Sequence, residues 1–365
     1  MALPGILAAH AVDVDAAAAV LLDAATGITL FAKNENERRA MASTTKIMTA
    51  VIVLENADLN SVYTVTAADA AVEGSALGVQ KGNRLRVEAL LKALMLVSGN
   101  DTAHALANAV AGSQKAFVRL MNQKAAALGL ANTHFTNPAG LSDEKHYSTA
   151  LDLARLTVYA LKNKTFARIC STADDTIAFL SPKKSVPLHN HNRLLSEYKG
   201  CIGVKTGYTQ AAGRCLVSAA RRHSQTLIAV TLSDSNDWDD HRALLDYGFA
   251  QSEEIVFGFA RKRVAVVGSK KEQIAFLLKN VSIRVPKHYA RYIKMQIEAP
   301  HFLYAPVMRG EEVAAVVITY RDTVIERIPL RSADDAPILK VRKNFWERIK
   351  EYGKFRSAAS KIHGG

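Results

Sequence analysis

Met41-Ala42-Ser43-Thr44-Thr45-Lys46-Ile47-Met48-Thr49 sets a serine and a lysine three residues apart at the start of an apolar helix. Ile47, Met48, Val51 and Leu54 keep helical spacing to about residue 55. A serine at that opening lies in the positive end of the helix field, and Lys46 returns to the same face one turn later. An ammonium cannot accept a proton. Lys46 can therefore activate Ser43 only if burial and a nearby positive charge lower its pKa.

Two further strings complete the chemistry. Ser98-Gly99-Asn100 breaks a helix expected over 87–97 before another begins near Thr102, so Ser98 stands in a turn that can face a cleft. Its hydroxyl can relay a proton between a lysine and a leaving amine, and the Asn100 amide can bind a substrate backbone group. Lys205-Thr206-Gly207 reads as part of a strand over 204–208, with Lys205 as the second positive charge. Lys205 and Thr206 suit a substrate carboxylate or the proton relay, and Gly207 removes bulk so that an extended peptide can lie along the strand. Together these are the parts for acyl transfer through a serine ester.

Working outward, residues 17–23 and 28–33 bracket Ala-Thr-Gly as a hairpin. Helices follow over 117–128 and 149–161, with Asn137-Pro138-Ala139-Gly140 as a turn between them. Strands at 215–220 and 227–232 join 204–208, and a helix over 238–247 closes the set. This predicts an α/β sandwich over 12–256, an α+β arrangement of strand, helices and strands. Beyond it, 264–267, 281–285, 293–297, 313–319 and 324–330 are short and β-branched, predicting a small all-β domain over 257–338. In the last segment, 339–365, Phe345, Trp346, Ile349, Tyr352, Phe355 and Ala359 fall on one side of a helical wheel over 344–362. Arg348, Lys350, Lys354 and Lys361 lie mostly opposite, with Arg356 near the apolar face.

The charge is placed as unevenly as the motifs. Of the net +13, the stretch from Arg261 onward supplies +12, with 22 Lys and Arg against 10 Asp and Glu. A polyanion would meet that third of the chain, and with the aromatic-basic tail this points to an anionic membrane surface rather than nucleic acid. The mean hydropathy is near zero and no apolar run is long enough to span a bilayer. Cys170, Cys201 and Cys215 have no metal-binding spacing, and their odd number argues against an obligatory disulfide framework. Residues 1–11 are apolar and end in Ala9-His10-Ala11, which reads as the tail of a truncated signal peptide or as an ordinary N-terminus.

Ser-x-x-Lys, Ser-x-Asn and Lys-Thr-Gly in this order form the set found in penicillin-binding proteins and serine β-lactamases. With Val97-Ser-Gly-Asn-Asp-Thr-Ala103, Asn137-Pro-Ala-Gly-Leu141, His146-Tyr-Ser-Thr-Ala150, His191-Asn-Arg-Leu-Leu195 and Gly203-Val-Lys-Thr-Gly-Tyr-Thr209, the chain resembles the low-molecular-mass D-alanyl-D-alanine carboxypeptidases. The resemblance implies a serine β-lactamase/transpeptidase-like catalytic domain. Ser43 would be the nucleophile, Lys46 the base and Ser98 the relay. Asn100 would bind an amide, and Lys205 and Thr206 the terminal carboxylate. The backbone N–H groups of Ser43 and Tyr208 would form the oxyanion hole. The implied partners are peptidoglycan pentapeptide stems and, as covalent inhibitors, β-lactams. No metal or cofactor is implied, and the implied location is the outer face of the bacterial cytoplasmic membrane.

Competing readings are weaker. A zinc carboxypeptidase lacks support, because no His-Glu-x-x-His occurs and His189/His191 are the only close histidine pair. A class A β-lactamase would need a Glu-x-x-Leu-Asn stretch, which is absent. A wall-binding protein that retains the fold but uses its cleft little stays open. Some relatives carry a carboxylate-gripping arginine before the last catalytic-domain helix. Here Ser235-Asn-Asp-Trp-Asp-Asp-His-Arg242 does not align clearly with it, and Arg242 is not assigned that role.

Overall fold

The strand Ala18–Asp23 (β1) is buried along its whole length, which requires packing on both faces. In the computed structural model, which describes residues 12–258, 262–276 and 280–339, both faces are covered. Ala18, Val20 and Leu22 belong to the larger core, while the alternate residues Ala19 and Leu21 belong to a second core on the opposite side. β1 pairs antiparallel with β2 (Thr29–Lys33), the expected hairpin.

A 3-10 turn, Ala42–Thr45, leads into α1 (Lys46–Asn56). Then come β3 (Val62–Thr64), α2 (Ala67–Ala70), β4 (Arg84–Arg86), α3 (Val87–Leu96), α4 (Asn100–Ala111) and α5 (Gln114–Ala127). The chain continues through α6 (Ala150–Leu161), α7 (Lys164–Cys170), β5 (Asp174–Ser181), β6 (Lys183–His189) and α8 (Leu194–Glu197). It returns to the first sheet with β7 (Cys201–Thr209), β8 (Gly213–Arg222) and β9 (Gln225–Leu232), followed by α9 (Asp237–Ala250) and β10 (Ser252–Phe257). The remaining strands are β11 (Arg263–Val267), β12 (Gln273–Ala275), β13 (Val281–Pro286), β14 (Ile293–Glu298), β15 (Phe302–Tyr304), β16 (Glu312–Tyr320) and β17 (Thr323–Arg331).

The central sheet runs β2-β1-β9-β8-β7, with the hairpin laid beside the last strand of the later set. Helices α1, α3, α4, α5 and α6 supply the larger core, and Leu244, Leu245 and Phe249 of α9 supply the other. This is a mixed α/β sandwich. β7 lies at the edge of the sheet, paired with β8 so that Lys205 faces Val217, Gly207 faces Cys215 and Tyr208 faces Arg214. Cys201 and Cys215 are free thiols on these neighbouring strands.

A second sheet, β3-β4-β5-β6, was not expected from the sequence. Lys183, Lys184 and Pro187 hide the alternation of β6. As an edge strand, β6 tolerates a proline that an interior strand would reject.

The chain divides into two units, Met1–Ile255 with Ser282–Arg291, and Val256–Val281 with Tyr292–Gly365. The strand expected at 281–285 forms as β13, but it pairs with β10, and Ser282–Arg291 group with the first unit. A strand pattern states that a segment is extended and leaves its partner open. The second unit holds two three-stranded sheets, β12-β11-β15 and β14-β16-β17, and no α-helix among its described residues. No helix among the described residues is long and apolar enough to cross a membrane. The expected signal at 1–11 and the amphipathic helix at 344–362 lie outside the described residues.

Candidate active site

Ser43 sits inside the 3-10 turn, one turn before the α-helix proper, so the helix starts later than its apolar spacing suggests. The N-cap of α1 is Thr45, which makes no capping bond, and Ser43 is therefore free of the ordinary capping role. Lys46 opens α1 and is 0% exposed. Its Nζ lies 2.7 Å from Ser43 Oγ, 2.8 Å from Asn100 Oδ1 and 2.7 Å from the Ala139 carbonyl oxygen.

Burial, and next the charge of Lys205, hold the Lys46 pKa well below the usual lysine value, with Asp101 opposing. A neutral amine has two N–H donors and one lone pair. The Asn100 and Ala139 oxygens can only accept, so they take the two donors and leave the lone pair facing the Ser43 hydroxyl. In that state Ser43 donates its hydrogen bond to Lys46, which is the geometry of a general base with its nucleophile.

The Asn137-Pro-Ala-Gly turn, read from sequence as a connector, holds Lys46 in place. The Asn137 carboxamide oxygen accepts from the N–H groups of Ala139 at 3.1 Å, Gly140 at 2.8 Å and Leu141 at 3.0 Å. That arrangement aims the Ala139 carbonyl at Lys46. Gly140 has φ +87°, and a Cβ there would come within 1.9 Å of the Ala42 carbonyl oxygen and 2.9 Å of the Ser43 nitrogen. Gly140→Ala is expected to displace the Ser43 turn and lower acylation at least about 100-fold, since 1 Å of misplacement can cost that much. Stopped-flow acylation by a chromogenic cephalosporin, run beside a melting curve, checks it.

Ser98 follows α3 with φ +59°, a left-handed conformation that is costly for a serine and is held at this turn. Ala42, beside the nucleophile, is also left-handed at φ +47°. Asn100, expected to bind substrate, is engaged at both ends of its amide. Oδ1 accepts from Lys46, and Nδ2 donates to the Glu73 carbonyl at 2.5 Å, leaving one Nδ2 hydrogen for a substrate. The neighbouring Asp101 accepts from Leu77, Gly78 and Val79 N–H groups, which fastens the loop carrying Ser75.

Lys205 is 1% exposed and donates to its neighbour Thr206's carbonyl at 2.9 Å. Burial pushes its pKa down to about 7. Two residues on, Gly207 lies against the turn, where a Cβ would meet the Ser43 nitrogen at 3.0 Å. Ser43, Ser98, Thr206, Gly207 and Tyr208 share one cleft of about 370 Å³, with Lys46 and Lys205 buried behind it.

The sequence reading gave no site role to several lining residues: Ser75, His191, Arg214, Asp237 and Trp238. Arg214 pairs with the buried Asp237 and lies 5.9 Å from the Trp238 ring centre. Arg242 is spent elsewhere, paired with Glu197 and Asp239. Only the β8 register, which sets Arg214 opposite Tyr208, could have signalled it.

The buried histidines serve structure. His146 Nδ1 accepts from Thr136 N–H at 3.0 Å, so Nε2 carries the proton and donates to Thr45 at 2.8 Å. Burial lowers the His146 pKa to about 4 and that of His241, held between Ser218 and Thr231, to about 3. Among the described residues no group of His, Cys, Asp and Glu gathers to hold a metal ion.

Residues 6–236 match the family model described as D-alanyl-D-alanine carboxypeptidase. The chain is 34% identical over 334 residues to D-alanyl-D-alanine carboxypeptidase DacF of Bacillus subtilis, covering 88% of this chain and 86% of that protein. It is 32% identical to DacC of Escherichia coli over 343 residues, covering 88% and 84%. Among solved structures, the D-alanyl-D-alanine carboxypeptidase DacD from Francisella tularensis superposes with a TM-score of 0.63 at 30% identity, covering 93% of this chain and 98% of that one. A Streptomyces DD-transpeptidase superposes at 0.63 with 35% identity, covering 65% and 98%.

Proposed function

The chain belongs to the D-alanyl-D-alanine carboxypeptidase family of serine peptidases, and from that premise we propose how its cleft releases the terminal D-alanine of a peptidoglycan stem. The observation that carries the mechanism is the fully buried Lys46 amine, 2.7 Å from Ser43 Oγ. Neutral Lys46 takes the hydroxyl proton as Ser43 Oγ forms a bond to the carbonyl carbon of the penultimate D-alanine. The N–H groups of Ser43 and Tyr208 bind the oxyanion. Collapse breaks the peptide bond, and Ser98 passes the proton from Lys46 to the departing amine. Water then attacks the Ser43 ester, returning a hydrogen to Oγ and freeing the shortened stem.

The substrate peptide lies extended along the edge strand β7, where Gly207 lets its backbone approach. Its terminal carboxylate meets Thr206 and Lys205. We assign Arg214 to the same carboxylate, because it is the arginine of this cleft and Asp237 and Trp238 hold its guanidinium there. Arg214→Ala is expected to raise KM for a D-Ala-D-Ala peptide about tenfold, with kcat within about threefold, the loss of one charge-assisted contact. Unchanged KM would leave the carboxylate to Lys205 and Thr206.

β-Lactams present the same groups to Ser43 and leave a long-lived penicilloyl ester. Mass-spectrometric mapping of a penicillin adduct tests the whole reading, and a label on any residue other than Ser43 would sink it. The reading extends to the rest of the chain. Residues 1–11 belong to an export signal, and the catalytic domain takes in 12–256 together with 282–291. The strand-built module of the remaining residues to 338 leads to an amphipathic helix over 344–362. That helix rests on an anionic membrane at the outer face of the cytoplasmic membrane. The aromatic-basic pattern of the tail and the charge excess after Arg261 support this placement.

A further inference from the structure

β11 and β15 run parallel, with Ala265 beside Phe302 and Val267 beside Tyr304. Strand alternation turns Val264 and Val266 into the second unit's core and leaves Ala265, Val267, Phe302 and Tyr304 outside. On that outer face Tyr304 is 71% exposed, Val267 49% and Phe302 47%, and the two rings meet edge to face at 5.3 Å. β15 is the outer strand of its sheet, ordered β12-β11-β15. The same face of β11 and β12 carries Arg263 and Gln273, and none of the strand positions on this face is a carboxylate. Scattered apolar residues on a surface are ordinary. A contiguous apolar face with paired aromatics and a polar rim marks an interaction site.

The chain's own course names the occupant. Leu339 N–H donates to the Gly268 carbonyl at 2.6 Å, and Ile338 bridges Ser269. The backbone therefore leaves the described residues at the end of β11 that carries Val267, beside Tyr304. The next residues are Lys340, Val341, Arg342 and Lys343, and the aromatic-basic tail begins at Phe345. The six residue steps from Leu339 to Phe345 span at most about 20 Å. If the tail lies on an anionic bilayer, this face is held within that reach of it. Tyrosine and phenylalanine beside arginine and lysine is the composition that settles at a headgroup boundary.

We propose that the outer face of the β11–β15 pair, centred on Phe302 and Tyr304, is a second lipid-contact surface that inserts into anionic membrane alongside the tail. The proposal rests on the membrane reading of 344–362 and adds to it a contact made by the folded module. A two-point attachment would fix the module's angle to the bilayer, which a single helix on a short connection leaves free.

Flotation of the full-length chain with phosphatidylglycerol/phosphatidylcholine vesicles tests it. The Phe302→Ser/Tyr304→Ser protein is expected to bind about tenfold more weakly than wild type, the scale of two partly buried rings, with unchanged D-alanine release and melting temperature. Tyr304→Trp is expected to add a blue-shifted emission that brominated lipid quenches. If the double variant floats like wild type while Trp346→Ser/Phe355→Ser does not, the tail is the whole anchor. The sheet-face proposal then falls and the membrane reading stands. If wild type floats with no vesicle, both fall. A wild-type dimer that the double variant converts to monomer, with vesicle binding unchanged, would assign the face to self-association and overturn the proposal.

Discussion

Ser43→Ala is expected to abolish D-alanine release from a diacetyl-Lys-D-Ala-D-Ala peptide, lowering kcat by about 10⁴-fold or more, and to remove the covalent β-lactam adduct. The size of the loss follows from the geometry. In the structure the hydroxyl hydrogen-bonded to Lys46 is that of Ser43, and its other two contacts are the acceptor oxygens of Asn100 and Ala139. Thr44 and Thr45 cannot substitute, since their hydroxyls are committed to the Met41 and Ala42 carbonyls at 2.6 and 2.8 Å. Removing one half-buried hydroxyl should leave stability within about 1 kcal/mol, so a matched melting curve separates lost chemistry from lost fold. Retained turnover, or an adduct that moves to Ser98, would require a different nucleophile.

Lys46→Gln is the second large effect, expected to slow acylation about 10³- to 10⁴-fold while substrate still binds. Glutamine nearly fills the space and can donate to Asn100 and Ala139, but it offers Ser43 no basic lone pair. The pH profile distinguishes a base from a spacer. Because the Lys46 pKa is depressed, first by burial, the amine is neutral and active above that value, and activity falls as pH drops through it. In the role proposed for it, Lys205 should act in the opposite sense, since an ammonium is the form that would grip a carboxylate. With its pKa pushed down to about 7, kcat/KM of the free enzyme should fall as pH rises through that region. Bound substrate carboxylate holds the proton on Lys205, so the alkaline limb of kcat should lie higher than that of kcat/KM. Lys205→Arg, always charged, should remove that limb and leave the acid limb in place. Lys46→Gln retaining within tenfold of wild-type acylation, with the acid limb unchanged, would exclude Lys46 as the base.

Much of this was legible in order and spacing. The i, i+3 spacing of Ser43 and Lys46 set them one turn apart, and the structure joins them at hydrogen-bond distance, with Ser43 in a 3-10 turn rather than on the helix itself. The apolar runs around Val217 and Val230 read as strands of one sheet, and they are. Arg214 was hidden because its role comes from the neighbour across the β7–β8 ladder and from Asp237, 23 residues away in sequence. The Asn137 turn was visible as a turn. What it does for Lys46, 93 residues from Ala139, was not. Asn100 shows the same limit, since its type suggested a substrate contact while its setting commits much of its amide to Lys46 and Glu73.

The residue order by itself determined the class of chemistry, the helix that follows Ser43 and carries Lys46, the strand carrying Lys205, and the uneven charge. Each of these depends on side-chain type and local periodicity, which one segment expresses without its neighbours. Only the tertiary structure decided that Lys46 is dry enough to be a base, which arginine stands in the cleft, and that 282–291 returns to the first unit. Those properties depend on desolvation and on partners distant in the chain. A lysine's proton affinity is set by the water and charge removed from around it, and that exists only once the sheet, the helices and the Asn137 turn have closed over it.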